Sequence, residues 1–265
     1  MKIAGATVLL TGATGGLGHA IARALASQGA QLVLTGRRAD VLEPLAAEVS
    51  GRALEADLCD RAAIDALIAE AGDVDVLVAN AALPADGPID GYTVDQIDRA
   101  LDVNLRAPIM LAKLLSEPML ARGRGHIVFM SSLSGKAATP GSALYSATKF
   151  GLRGFSSGMR QDLHGTGVGV STVFPGPIRD AGMFAMTEVE LPKGTGTRSP
   201  EDVARAVVRA IESNRSEIDV ASLPMRVGSA ISGLAPATAE AFNRRMGVSK
   251  HAAAIADSEA HRARR

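Results

Sequence analysis

The pentapeptide "YSATK" sets Tyr145 and Lys149 four residues apart, with only small residues between them, in a chain that has two tyrosines. On a helix, residues at i and i+4 share a face. A phenol beside an ammonium can take part in proton transfer. An aromatic and a lysine at this spacing can also simply pack on a helix surface. The pair alone does not separate the two readings, so the rest of the chain has to.

A second stretch with chemical potential lies near the start. "LLTGATGGLGHAIARAL" (9–25) reads as strand, glycines, helix, with Gly12, Gly16 and Gly18 in the pattern T-G-x3-G-x-G. Gly12 permits a tight turn, Gly16 lets backbone approach a pyrophosphate, and Gly18 lets the helix sit close to the sheet. The helix N-terminus then offers free N–H groups and a partial positive charge to phosphates. Glycine-rich turns are common, but this one follows the first strand and opens an amphipathic helix, the context that points to a dinucleotide.

The end of the second strand bears on which dinucleotide. A free ribose 2′-OH usually meets an acid there. In "LVLTGRRADVL" that place holds Gly36, followed by Arg37 and Arg38. Guanidinium forks suit a 2′-phosphate, so NADP(H) is favoured over NAD(H). Asp40 is expected to cap the next helix. Asp57, in "EADL", is placed to accept a bond from an adenine amino group.

These residues need elements to position them. β-like runs fall at 6–12, 31–36, 52–57, 74–80, 125–132, 167–176 and 217–222, rich in Val, Ile or Leu without long alternation, as in strands buried on both faces. Helix-like stretches cover 17–28, 40–49, 60–71, 93–120, 143–163 and 200–213. Ser199 before Pro200 is a good helix start. The alternation implies a single-domain, Rossmann-like, doubly wound α/β fold, a parallel sheet of about seven strands with helices on both faces. Residues 1–222 form its catalytic unit, with an irregular Gly-rich segment at 181–198. Residues 223–265 are a C-terminal extension that packs on the same unit or trails from it.

Composition narrows the function. Apolar residues make up 47% of 265, and Lys+Arg and Asp+Glu are equal at 28 each. A neutral balance argues against nucleic acid as partner. Cys59 is the only cysteine, so no intrachain disulfide can form, which suits a reducing cytoplasm. The five histidines lack metal-ligand spacing, and no metal is expected. The opening "MKIAGATVLL" has the start of a signal peptide, but glycines follow at once. No uncharged apolar run is long enough to span a membrane.

Taken in order, "TGATGGLG" (11–18), "ANAA" (79–82), Ser132 in "FMSSLSG", "YSATK" (145–149) and the looser "PGPI" (175–178) resemble the short-chain dehydrogenase/reductase family, classical type, over roughly residues 4–222. Asn104 in "DVNL" matches the family's helix asparagine. The resemblance implies that Tyr145 is the general acid/base, with Lys149 stabilising its phenolate and holding the nicotinamide ribose. It gives Ser132 the polarisation of the substrate carbonyl, and Asn104 a water that links Lys149 to solvent. Ser132 is chosen over Ser131 and Ser134 by register. Ser134 is left to line the pocket or hold the turn. Cofactor contacts carry over to Thr11, Gly12, Thr14, Gly16, Leu17 and Gly18, to Arg37 and Arg38, to Asp57 and Leu58, and to Asn80 and Ala81. Tyr145, Lys149, Pro175, Gly176 and Ile178 complete them. Family members commonly form homodimers or homotetramers through the helices at 93–120 and 143–163.

Two positions depart from the family's pattern. Ala82 stands where glycine is usual, at a cost of about 1 kcal/mol if that backbone needs a positive φ. Asp180 replaces a threonine that bonds the nicotinamide amide, and an ionised carboxylate only accepts. Leu83, Leu133, Met183, Phe184 and Met186 are apolar candidates for the pocket of a small, hydrophobic alcohol or carbonyl substrate. Arg179 is the candidate for holding a substrate carboxylate. The main expectation is an NADP(H)-dependent carbonyl–alcohol oxidoreductase. The alternative is a catalytically silent NADP(H)-binding regulator on the same fold, which should have lost Tyr145 or Lys149. An epimerase or dehydratase would need a longer substrate domain.

Overall fold

The computed structural model describes residues 1–181, 196–238 and 241. Seven parallel strands run β1 (Thr7–Thr11), β2 (Gln31–Gly36), β3 (Arg52–Glu55), β4 (Val76–Ala79), β5 (Gly125–Met130), β6 (Val168–Pro175) and β7 (Glu217–Val220). Their order in the sheet is β3-β2-β1-β4-β5-β6-β7. The chain starts at the middle, builds outward to β3, and then crosses over to build the other half. The reversal falls between β1 and β4, the switch point at which open α/β sheets form a crevice beyond the carboxyl ends of the strands. Every residue of β4, β5 and β6 is buried. This explains the unbroken Val/Ile/Leu runs, since neither sheet face meets water.

The helices are α1 (Gly16–Ser27), α2 (Ala39–Glu48), α3 (Arg61–Ala71), α4 (Val94–Leu101), α5 (Ala107–Arg122), α6 (Ala143–Asp162), α7 (Pro200–Ser213) and α8 (Leu223–Leu234). Two apolar cores divide at the sheet. On one face Ile21 and Leu25 of α1 and Val203 and Val207 of α7 pack on Val8 and Val78. On the other, Leu111 and Leu115 of α5 and Leu152 of α6 pack on Leu77 and Phe129.

Helix ends follow their sequence signals. Ser199 caps α7 in a reciprocal box with Asp202, and Pro200 fills the first position. Thr93 and Gln96 form the same box on α4. Asp40 corrects the expectation made for it. The N-cap of α2 is Arg38, and Asp40 lies inside the first turn, where its charge meets the helix dipole without a capping bond. The stretch 93–120, expected as one helix, is interrupted by a π-turn at Asp102–Arg106 that contains Asn104. Such single-turn expansions often mark functional sites.

Candidate functional site

The crevice is built from strand ends. Gly12 takes a φ of +64°, as a tight turn out of β1 requires, and a Cβ there would lie 2.7 Å from the Ala81 Cα. At Gly18 a Cβ would lie 2.3 Å from the Gly12 carbonyl oxygen, so only glycine lets α1 sit this close to the turn. α1 begins at Gly16 with no side-chain cap and no acid in its first turn. Its leading N–H groups are therefore without a side-chain acceptor and carry the positive end of the helix dipole. Thr11 stands behind the turn rather than in it. It is 1% exposed, and its Oγ1 accepts the amides of Asn80 and Ala81 at 3.0 Å. Asn80 Nδ2 in turn donates to the carbonyls of Thr11 (3.0 Å) and Gly12 (3.1 Å). This clasp ties β4 to the glycine turn across the point where the sheet order reverses.

Gly36 packs against Thr14, where a Cβ would lie 2.8 Å from the threonine methyl. A longer side chain at 36 would force Thr14 aside. Arg38 Nη2 donates to the Thr14 carbonyl at 2.5 Å. Arg37 is exposed and has no ion pair with any described residue. Asp57 is exposed, and its Oδ1 accepts the Cys59 amide at 3.0 Å. That bond holds its carboxyl below the usual range, and the charges of Arg37 and Arg99 pull more weakly in the same direction. Leu58 is buried. The uncapped helix and the cradle that a Cβ would fill fit a dinucleotide.

Tyr145 and Lys149 come together on α6. The Lys149 Nζ lies 5.5 Å from the Tyr145 ring centroid and donates to the Met130 carbonyl at 2.9 Å, at the end of β5. Lys149 is 2% exposed, and burial lowers its pKa from 10.5 to about 8. The Tyr145 amide donates to the Ala85 carbonyl at 3.2 Å, which docks the start of α6 on the loop after β4.

The three serines of this stretch differ in their partners. Ser131 is buried and spends its hydroxyl on the Lys149 carbonyl at 3.1 Å. Ser132 caps the 3-10 turn Leu133–Gly135, where its Oγ accepts the Ser134 amide at 3.1 Å. Its contact to the Pro175 carbonyl is long, at 3.5 Å. Ser132 thus holds its proton only weakly, and the Ser134 hydroxyl has no hydrogen bond among the described residues. Ser134 helps close the turn through its amide. Asn104 is 1% exposed. Its Oδ1 accepts the Leu83 amide at 2.6 Å, and its Nδ2 donates to the Leu83 carbonyl at 2.9 Å.

Other sequence readings resolve as follows. Ala82 is absent from the positive-φ residues, so alanine costs nothing of the kind considered. Asp180 does take a positive φ, +65°, and its carboxylate is 75% exposed, 3.5 Å from Arg179 Nε. That ion pair occupies the arginine offered for a substrate carboxylate. Leu133 is buried against Phe174, Ala221 and Met225, which makes it core rather than pocket lining. Met183, Phe184 and Met186 lie outside the described residues. Pro175 and Gly176 close β6, the Gly176 amide donating to the Val220 carbonyl at 3.0 Å, and Ile178 is buried beside Arg198.

Two groups escaped the sequence reading. Lys136, in the turn after Ser132, reaches Asp219 at 2.6 Å and Glu217 at 2.9 Å on β7. Arg153 of α6 joins Glu217 at 2.8 Å, and Lys136 also lies 4.1 Å over the Phe174 ring. The network fastens the serine turn and the tyrosine helix to the sheet edge. Its acids stand 83 residues from Lys136 for the closest pair, and no local signal reports that separation. Asp86, next to Ala85, is pushed up to about 6 by burial. Only its short acidic side chain in a turn-like loop was visible in the sequence.

The fold and site define a doubly wound nucleotide-type protein with a tyrosine–lysine helix at the switch-point crevice. A family model described as short chain dehydrogenase matches residues 6–190. The chain belongs to the short-chain dehydrogenase/reductase family and is an oxidoreductase of that class. It is 36% identical to ketoacyl reductase HetN of Nostoc sp. over 260 residues, 93% of this chain and 91% of the relative. A solved short chain dehydrogenase/reductase family protein superposes with TM-score 0.77 at 32% identity, covering 83% of this chain and 97% of its own. A metagenomic short-chain oxidoreductase solved in complex with NADP matches with TM-score 0.68 at 32% identity, covering 84% and 98%. The family binds nicotinamide cofactors. Among the described residues no helix is long and apolar enough to cross a membrane.

Proposed function

We propose that the protein is an NADP(H)-dependent oxidoreductase that interconverts a carbonyl and an alcohol on a small, hydrophobic substrate, with Tyr145 as general acid/base. The observation that carries this reading is the buried ammonium of Lys149, fixed to Met130 beside the Tyr145 ring. A cation held in a dry site acts strongly on a neighbouring phenol, because little water screens it.

The bound nicotinamide supplies or accepts the hydride. This chain's residues do the rest. Gly16, Leu17 and Gly18 offer N–H groups to the pyrophosphate, and Gly12 and Thr14 shape the turn beside it. Arg37 and Arg38 face the ribose 2′-phosphate, and Asp57 and Leu58 border the adenine. Ala81, Pro175, Gly176 and Ile178 wall the nicotinamide end. Ser132 donates to the substrate oxygen, where negative charge develops. Tyr145 gives that oxygen its proton in reduction and takes it back in oxidation. Lys149 holds the ribose and favours the phenolate. Asn104 spends one lone pair of Oδ1 and one N–H of Nδ2 on Leu83, which leaves its side chain capacity to hold the relay water.

The Nostoc relative's name points to a ketoacyl compound as the first carbonyl to try. The subunits pair as a homodimer or homotetramer through α5 and α6, where Leu120 and Phe150 are each 40% exposed. The site of action is the cytoplasm.

The test follows NADPH oxidation with a short β-ketoacyl thioester and a panel of hydrophobic ketones. Wild type should turn over at least one, and Tyr145→Phe should lose about 100-fold or more of kcat while still binding NADPH. If NADPH binds and no carbonyl is reduced, the silent-regulator reading takes its place.

A further inference from the structure

α8 faces the wrong way for a helix of a water-soluble chain. The residue it buries is Ser229, whose hydroxyl donates to the Arg226 carbonyl at 3.0 Å. Met225 tucks against Leu133, Phe174 and Ala221. Its large aliphatic residues point outward, with Leu223 at 67%, Val227 at 50%, Ile231 at 52% and Leu234 at 88% exposure. At 3.6 residues per turn these four fall within an arc of about 80°. Full burial of each such side chain is worth roughly 1.5–3 kcal/mol, so a continuous stripe of them in water marks a contact surface.

The flank of this stripe is basic. Arg226 lines a groove together with Arg198, Arg205 and Arg209, bounded by α7 and the end of α1. All four are exposed. Acids share the groove: Asp202 pairs with Arg205 at 2.5 Å, Asp219 with Lys136 at 2.6 Å and with Arg226 at 3.8 Å, and Glu212 lines it too, which leaves Arg198 and Arg209 as its arginines without an ion pair among the described residues. The sequence shows the same polarity. Residues 223–265 hold seven Arg and Lys against three Asp and Glu, a net of +4, in a chain whose total is zero. The rest of the chain therefore carries −4.

We propose that the outer face of α8 is a docking surface for an anionic lipid bilayer. The helix lies in the interface with Leu223, Val227, Ile231 and Leu234 among the acyl chains, while the arginines beside it meet lipid phosphates. A second copy of the chain is the weaker occupant. The strip is about 18 Å long and 10 Å wide, far below the roughly 800 Å² per partner of a stable protein interface. A protein partner would also leave the charge asymmetry without a role.

The experiment is co-sedimentation of the full chain with vesicles of phosphatidylcholine alone and with 30% phosphatidylglycerol. Wild type is compared with Val227→Glu/Ile231→Glu, both exposed positions that leave the core intact, with circular dichroism and thermal melts as the folding check. Wild type should bind the anionic vesicles at least 10-fold better than the neutral ones. The double variant should lose at least 10-fold, and raised salt should weaken wild-type binding. Equal binding by wild type and variant overturns the proposal, because the apolar stripe is then not the contact. So does no binding to either vesicle. Gel filtration gives a third outcome: a shift to a smaller species in the variant assigns the stripe to a subunit contact instead.

Discussion

Lys149 donates to the Met130 carbonyl at 2.9 Å, so the ammonium of the tyrosine helix is pinned to the end of β5. Helix and sheet thereby fix the Lys149 Nζ at 5.5 Å from the Tyr145 ring. Burial drives this lysine to about 8 from 10.5. Below that value it is a cation and favours the phenolate; above it the help fades. Carbonyl reduction should lose rate as pH rises through about 8, as a pH profile of kcat would reveal. Stability runs the other way. Between about 8 and 10.5 the unfolded chain holds a proton that the folded chain has released, so stability rises with pH in that window. Thermal melts should show wild type gaining on Lys149→Met across it.

Arg37 should set the cofactor preference. Replacing it with alanine removes one exposed guanidinium and no ion pair among the described residues. Affinity for NADPH should fall about 10-fold, or ~1.4 kcal/mol, with NADH affinity unchanged. Titration by nicotinamide fluorescence reads both. Equal loss for the two cofactors would move Arg37 out of the 2′-phosphate site.

Gly18→Ala tests the close approach of α1. Its Cβ would meet the Gly12 carbonyl oxygen at 2.3 Å, which nothing short of backbone movement relieves. Overpacking of this kind costs about 1–3 kcal/mol. The melting temperature should drop by several degrees and cofactor affinity should fall with it. An unchanged melt together with full affinity would count against this packing.

Asp86 is a carboxyl that the fold prefers neutral, pushed up from 3.8 to about 6. Between those values the folded state holds the extra proton, so stability falls as pH rises through the window and the cost is fully present above it. Asp86→Asn should therefore stabilise the protein at pH 7–8, on the order of 1–2 kcal/mol, and give no gain near pH 3. Melts at the two pH values decide it.

Much of this was legible in the sequence for a physical reason. Strands buried on both faces leave unbroken apolar runs, as at Val76–Ala79, and the glycine pattern reports backbone distances that a Cβ forbids. Gly36, read only as a missing acid, also proves to be a packing contact with Thr14. Long-range charge pairing left no trace, because Lys136 and Asp219 look like ordinary surface residues in isolation. Nor did the π-turn around Asn104, since one expanded turn barely disturbs helical periodicity. Asp40 was misread because its type suits a cap while the chain starts the helix one residue earlier, at Ala39.

The ties from Lys136 to β7 also bear on the order in which the protein is made. Ser132, Tyr145 and Lys149 leave the ribosome well before Glu217 and Asp219, the acids that fasten the serine turn and, through Arg153, the tyrosine helix. A nascent chain stalled short of β7 carries Ser132, Tyr145 and Lys149 yet lacks both acids of that network. The last strand completes the frame, so a truncated product has those residues without it.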